Sequence, residues 1–190
     1  MAVLVSGFDA FGTVRLNPSK LLVEDLAANQ TEQSDYHTVI LDVSYERCFL
    51  QFQKVFQEVQ PEVVLLTGVA RSSQALRVEM CAKNHATASL EDVDGRIGGG
   101  QSLSSQYPLG HRLYSTVETL NLAAYLCEQG FDARISTNAG GYVCNALYYS
   151  VLERLTVPAV FLHIPPVEAG WSRERLVAAT ECLLEKWQVM

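Results

Sequence analysis

Short apolar runs alternate along this chain with stretches in which apolar residues recur every three or four positions. Strand-length runs interleaved with helical periods predict an α/β fold built on a mainly parallel sheet. Val3 to Ser6 reads as the first strand, and Asn17-Pro18-Ser19 as a helix start, since Asn suits the N-cap and Pro the first helical position. His37 to Val43 is the next strand. Phe49, Phe52, Val55, Phe56 and Val59 share one helical face, and Pro61 ends that helix before the buried-type strand Val63 to Leu66. Leu113, Val117, Leu120, Ala124 and Cys127 predict a helix closed by Gly130, with a short strand from Ala133 to Ser136 after it. A helix following Gly140-Gly141, a strand from Val157 to His163 and a terminal helix carrying Leu176, Ala179, Leu183 and Trp187 complete the series.

Two segments depart from this rhythm. From Leu76 to Lys83, apolar Leu76, Val78, Met80 and Ala82 alternate with Arg77, Glu79, Cys81 and Lys83, the pattern of a half-exposed strand. Ser89 to Leu109 holds four glycines and few apolar residues, and predicts a mobile loop or extended arm. With 190 residues and 48% apolar composition, the chain is long enough for one sizeable core and too short for two ordinary domains, so a single domain over residues 1–190 is expected.

No apolar run approaches the roughly 20 residues that span a bilayer, so no membrane partner is expected. The opening Met-Ala-Val-Leu-Val-Ser-Gly has neither a basic leader nor a cleavage site and predicts a cytoplasmic protein. A net charge of −7 without any Lys/Arg cluster argues against a nucleic-acid partner. The five cysteines are widely spaced and include no C-x-x-C pair, which suggests neither a disulfide framework nor a metal site.

Within Asn138-Ala139-Gly140-Gly141-Tyr142-Val143-Cys144-Asn145, a cysteine lies just past a glycine turn, at the start of a predicted helix. Free N–H groups and the helix dipole favour negative charge there, both on a thiolate and on an oxyanion formed beside it. The same pattern also fits a packed, inert thiol. His163 closes a predicted strand ahead of Ile164-Pro165-Pro166, at the sheet edge where ligands bind, and can serve as proton partner or as an ordinary hydrogen-bonded residue. Glu79 on the alternating strand can orient that imidazole or be solvated. Cys81 is a rival nucleophile that lacks a glycine turn or helix start.

Four blocks in order complete the picture: Gly7-Phe8-Asp9-Ala10-Phe11-Gly12 with Asn17-Pro18-Ser19; Glu79 with Ala82 and Asn84; Ala139 to Asn145; and Phe161-Leu162-His163-Ile164-Pro165. Together the chain resembles the pyrrolidone carboxyl peptidase (pyroglutamyl peptidase I) family of cysteine peptidases across most of its length. The resemblance implies a three-layer α/β/α sandwich around a twisted, mainly parallel mixed sheet. It also implies catalysis by Cys144, His163 and Glu79 without a cofactor, a small peptide substrate with a blocked amino terminus, and, as often in bacteria, a homotetramer. Phe8 and Phe11 match the residues lining the family's lactam pocket, with Tyr142 and Val143 nearby. Where the family usually reads G-Q-A-G-G-R the chain has Gly68-Val69-Ala70-Arg71-Ser72-Ser73, so Val69 replaces a polar residue of that pocket. An arginine of the family falls at Ser89, which leaves Arg71, Arg77 and Arg96 as substitutes. These departures keep two other readings open: a triad hydrolase for another small acyl or amide substrate, and a catalytically silent binding homologue.

Overall fold

A computed structural model describes residues 1–12, 14–31, 33–167 and 170–188. Its elements run β1 (Val3–Phe8), α1 (Pro18–Asn29), β2 (Tyr36–Leu41), α2 (Cys48–Val59), β3 (Val63–Val69), β4 (Leu76–Glu79), β5 (Cys81–Lys83), β6 (Arg112–Tyr114), α3 (Thr119–Glu128), β7 (Ala133–Ser136), α4 (Val143–Arg154), β8 (Ala159–Ile164) and α5 (Arg173–Gln188). Six strands form one sheet in the order β2-β1-β3-β8-β4-β7, and β5 pairs with β6 in a separate two-stranded ribbon. Neighbours in the large sheet are parallel except β4 and β8, which run antiparallel. This is the expected three-layer arrangement on a mainly parallel mixed sheet.

Each strand alternates its side chains between two cores. Val3, Val5, Leu65, Leu76, Val78, Leu162 and Ile164 pack beneath α1, α3 and α5. Leu4, Val64, Leu66 and Phe161 pack beneath α2 and α4. Both faces are covered, which explains why the central strands read as continuous apolar runs. Asn17 caps α1 as expected, its Oδ1 accepting from Ser19 N. Among the described residues no helix is long and apolar enough to cross a membrane.

Three local expectations are corrected. The segment from Leu76 to Lys83 is two strands rather than one, because the chain leaves the main sheet at Met80 to pair with β6. Glu79 and Cys81 are buried there, Glu79 against the His163 ring and the Arg77 guanidinium and Cys81 against the Thr137 carbonyl, so the polar side of the alternation does not face solvent. Leu113 belongs to β6, and helix α3 buries Leu122, Ala123 and Leu126 while Leu120 is 62% exposed, so its period was legible and its inward face was not. The segment from Ser89 to Leu109 has no regular element, but it is tied down. Buried Asn84 donates to the carbonyls of Ser104, Tyr107 and Pro108 and accepts from the N–H groups of Leu103 and Ser104, while Asp92 caps the turn to Arg96.

Candidate active site

Strands β1, β3 and β8 run in one direction and end along the same edge of the sheet, where open α/β sheets leave a crevice. Phe8 ends β1, Gly68 and Val69 end β3, and His163 is next to last in β8. Parallel register sets Gly68 beside His163. His163 shares the α2/α4 face with Phe161, their rings 4.6 Å apart. Because β4 runs the opposite way, Arg77 lies across from His163 and Glu79 across from Phe161.

That diagonal brings Glu79 Oε1 to 2.8 Å from His163 Nδ1. A carboxylate only accepts, so Nδ1 carries the hydrogen and Nε2 keeps its lone pair. Glu79 is 0% exposed, and its other oxygen, Oε2, is buried without a hydrogen-bond partner among the described residues. The Arg77 guanidinium lies 3.2 Å from Oε1 and compensates the buried charge. Tyr148, from α4, donates its hydroxyl to the Glu79 carbonyl at 3.0 Å and fixes the backbone.

The third group arrives on α4. Gly140 has φ +86°, the left-handed conformation that glycine adopts without strain, and turns the chain toward the helix. The Gly141 carbonyl accepts from Thr87 N, Ala88 N and the Tyr45 hydroxyl, which pins the turn. Tyr142 caps α4 with its backbone alone, accepting from Ala146 N, and the N–H groups of Val143, Cys144 and Asn145 make no hydrogen bond to another described residue. Asn145 holds the other side of that turn, accepting from Lys83 N and donating to the carbonyls of Lys83 and His85.

A Cβ on Gly68 would lie 2.8 Å from Cys144 Sγ and 2.9 Å from the Phe161 ring. The sulfur therefore fills the place of a side chain at residue 68, adjacent to His163. The helix start predicts an ionised sulfur. Instead, burial pushes the Cys144 thiol up to about 12, the neighbouring Cys48 and Glu79 groups add to this, and its own backbone N–H opposes them. The net effect holds the Cys144 thiol in its neutral form.

Cys144 and His163 line one cavity of about 330 Å³ together with Phe8, Phe11, Val69, Tyr142 and Val143, so the expected pocket residues converge. Phe11 and Tyr142 pack 5.8 Å apart. Asn17 is one of the polar side chains of the cavity, with Arg71, Ser72, Arg77 and Asn138, and its amide is committed to Ser19 and the Asp9 carbonyl. Tyr142 directs its hydroxyl to the Glu91 carbonyl. Cys81 is buried outside this cavity, with Sγ 3.5 Å from the Thr137 carbonyl. Ser89 does not line the cavity, although Ala88 and Leu90 do; Arg71 and Arg77 reach it, whereas Arg96 is paired with Glu46 elsewhere. Gly68 is a site residue that sequence patterns did not single out, and Arg77 was expected only as a stand-in for the family's arginine; the pairing of β3, β8 and β4 gives both their places, and a single sequence does not display that register. Among the described residues no group of three or more His, Cys, Asp or Glu is placed to hold a metal ion.

Residues 1–173 match the family model described as pyroglutamyl peptidase. The chain is 28% identical to the pyrrolidone-carboxylate peptidase of Thermococcus litoralis, over 86% of this chain and 76% of that one. It is 31% identical to the Halalkalibacterium halodurans protein of the same name, over 86% and 83% of the two chains. The crystal structure of pyrrolidone carboxyl peptidase from Fervidobacterium islandicum superposes with a TM-score of 0.87 at 26% identity, covering 99% of this chain and 98% of that one.

Proposed function

Because the chain belongs to the pyroglutamyl peptidase family of cysteine-type omega peptidases, we propose that it removes an amino-terminal pyroglutamyl residue from peptides through Cys144, His163 and Glu79. The observation that carries this reading is the buried Glu79–His163 hydrogen bond beside the space at Gly68 that the Cys144 sulfur fills. The neutral thiol gives its proton to His163 Nε2 as sulfur attacks the pyroglutamyl carbonyl carbon, so no standing ion pair is needed. Charge that develops on the carbonyl oxygen is met by the free N–H groups at the start of α4, the Cys144 N–H among them. The imidazolium, steadied by Glu79, then passes its proton to the departing amine and leaves a thioester. Water attacks that thioester, with His163 taking its proton, and restores the thiol. Phe8, Phe11 and Tyr142 supply the apolar walls for the ring.

The test is release of a chromophore from a pyroglutamyl amide by the parent and by Cys144→Ala. The parent turns over, and the variant loses at least about 10⁴-fold in kcat. An equally active variant refutes the mechanism. One observation favours a second reading: Val69 presents an apolar side chain to the pocket, Asn17 and Tyr142 are committed to other partners, and the polar side chains next to Val69 are Arg71 and Ser72, which suit a charged or hydroxylated acyl group as well as a lactam. A panel of other small acyl amides separates the two, because a preferred substrate without a lactam keeps the triad and changes the acyl group.

A further inference from the structure

Arg77 makes more contacts than neutralisation of Glu79 requires. One guanidinium nitrogen, Nη2, donates to Ser136 Oγ at 2.7 Å and to the Asn138 carbonyl at 2.7 Å, and it lies 3.2 Å from Glu79 Oε1. Ser136 ends β7, and Asn138 sits in the turn that leads through Gly140 to Cys144, where its Oδ1 accepts from Gly140 N. A single cation thus joins the strand that carries the acid, the neighbouring strand and the turn that presents the sulfur.

We propose that Arg77 is a positioning residue with two effects on the triad, an inference that rests on the peptidase reading above. Mechanically, it ties the turn before Cys144 to the Glu79–His163 pair, so sulfur and imidazole keep a common frame. Electrostatically, it shares Oε1 with the His163 ring and weakens the pull of the carboxylate on the imidazolium. The charged and titratable groups around His163 are Glu79 and Arg77 on β4, Arg71 beyond β3 and Cys144 on α4, with His85 bonded to the Gly140 carbonyl on the turn. Of these, Arg77 is the cation that contacts the carboxylate bonded to the ring. Removing it leaves the imidazole facing an unshared carboxylate and raises its affinity for a proton.

The experiment measures kcat, KM and the pH dependence of kcat/KM on a pyroglutamyl amide for the parent, Arg77→Met and Arg77→Lys, with a melting curve for each. In Arg77→Met, kcat falls about 10- to 100-fold with KM nearly constant. Its acid limb moves to higher pH by about half a unit to one unit, a shift that a packing defect does not produce. Arg77→Lys retains the charge, so its limb stays in place and part of kcat returns. If Arg77→Met does not fold, the lysine variant decides: reduced kcat with an unmoved limb supports the proposal, and parental kcat overturns it. An unmoved limb in folded Arg77→Met also overturns it. A parent that cleaves no pyroglutamyl amide fails the peptidase reading instead, which keeps the two failures distinct.

Discussion

The two faces of the central sheet are made by the same strands, yet they obey different rules. Strand β8 sends Val160, Leu162 and Ile164 to the side of α1, α3 and α5, while Phe161 and His163 face α2 and α4. Strand β4 divides likewise, Leu76 and Val78 against Arg77 and Glu79. On the first face, apolar groups fill a closed core, with local misfits confined to the outer side of α3. The second face holds a buried carboxylate with one unpartnered oxygen, a glycine where a central strand normally carries a bulky side chain, and a cysteine on an uncapped helix start. Such conflicts weaken a fold and concentrate at working sites, where they are tolerated because the surrounding structure holds them in place.

The sharpest test of that contrast is Glu79→Gln, which preserves shape and burial and removes the charge that orients the His163 ring. A drop in kcat/KM of about 10³-fold with an unchanged melting temperature is expected, since an amide can present an N–H to Nδ1 and select the wrong tautomer. Activity within a few-fold of the parent would show that the pair is structural. Next in size is a matched pair of substitutions. Leu162→Ala, on the apolar face, costs about 3 kcal/mol of stability by urea unfolding and leaves kcat per folded molecule unchanged. Gly68→Ala introduces a methyl group where the Cys144 sulfur lies, so it lowers kcat about 100-fold and costs about 1 to 3 kcal/mol through overpacking. The comparison breaks if the two variants exchange phenotypes.

The apolar face was largely legible in the sequence because periodicity reports which positions are apolar and how often they recur. Leu176, Ala179, Leu183 and Trp187 were read as one helical stripe, and all four are buried on α5. Periodicity does not report what covers a residue. Leu120, Ala124 and Cys127 kept helical spacing but face away from the core, because Leu113 and Val117, which seemed to extend the stripe, precede the helix. Glu79 looked solvated for the same reason: its alternation was visible, and the His163 ring and Arg77 guanidinium beside it were not. Its pairing with His163 depends on an antiparallel β4 inserted beside β8, a register that motif similarity anticipated and spacing alone could not derive. Gly68 remained invisible because it matters only through a neighbouring strand, and Arg77, expected only as a stand-in for an absent arginine, reaches Ser136 and Asn138 through the same strand pairing.

The smallest expected effect concerns how the reactive face responds to alkali. Cys48 and Cys144 both lie on that side, and burial is the first cause that pushes each thiol from its ordinary value near 9 up to about 12. The sign follows from proton binding: between these values the unfolded chain has released protons that the folded protein still holds, so the unfolded state gains as pH rises. Stability contributed by the two neutral thiols is therefore intact below pH 9 and is lost progressively toward pH 12. For each thiol the loss is on the order of 1 kcal/mol at pH 10. Urea midpoints of the parent should fall between pH 8 and pH 10, and Cys48→Ala, which leaves the cavity walls in place, should show a visibly shallower decline. Equal slopes in the two proteins would mean that the buried Cys48 thiol does not govern the alkaline limb, and the contrast between the two faces would lose its electrostatic part at that position.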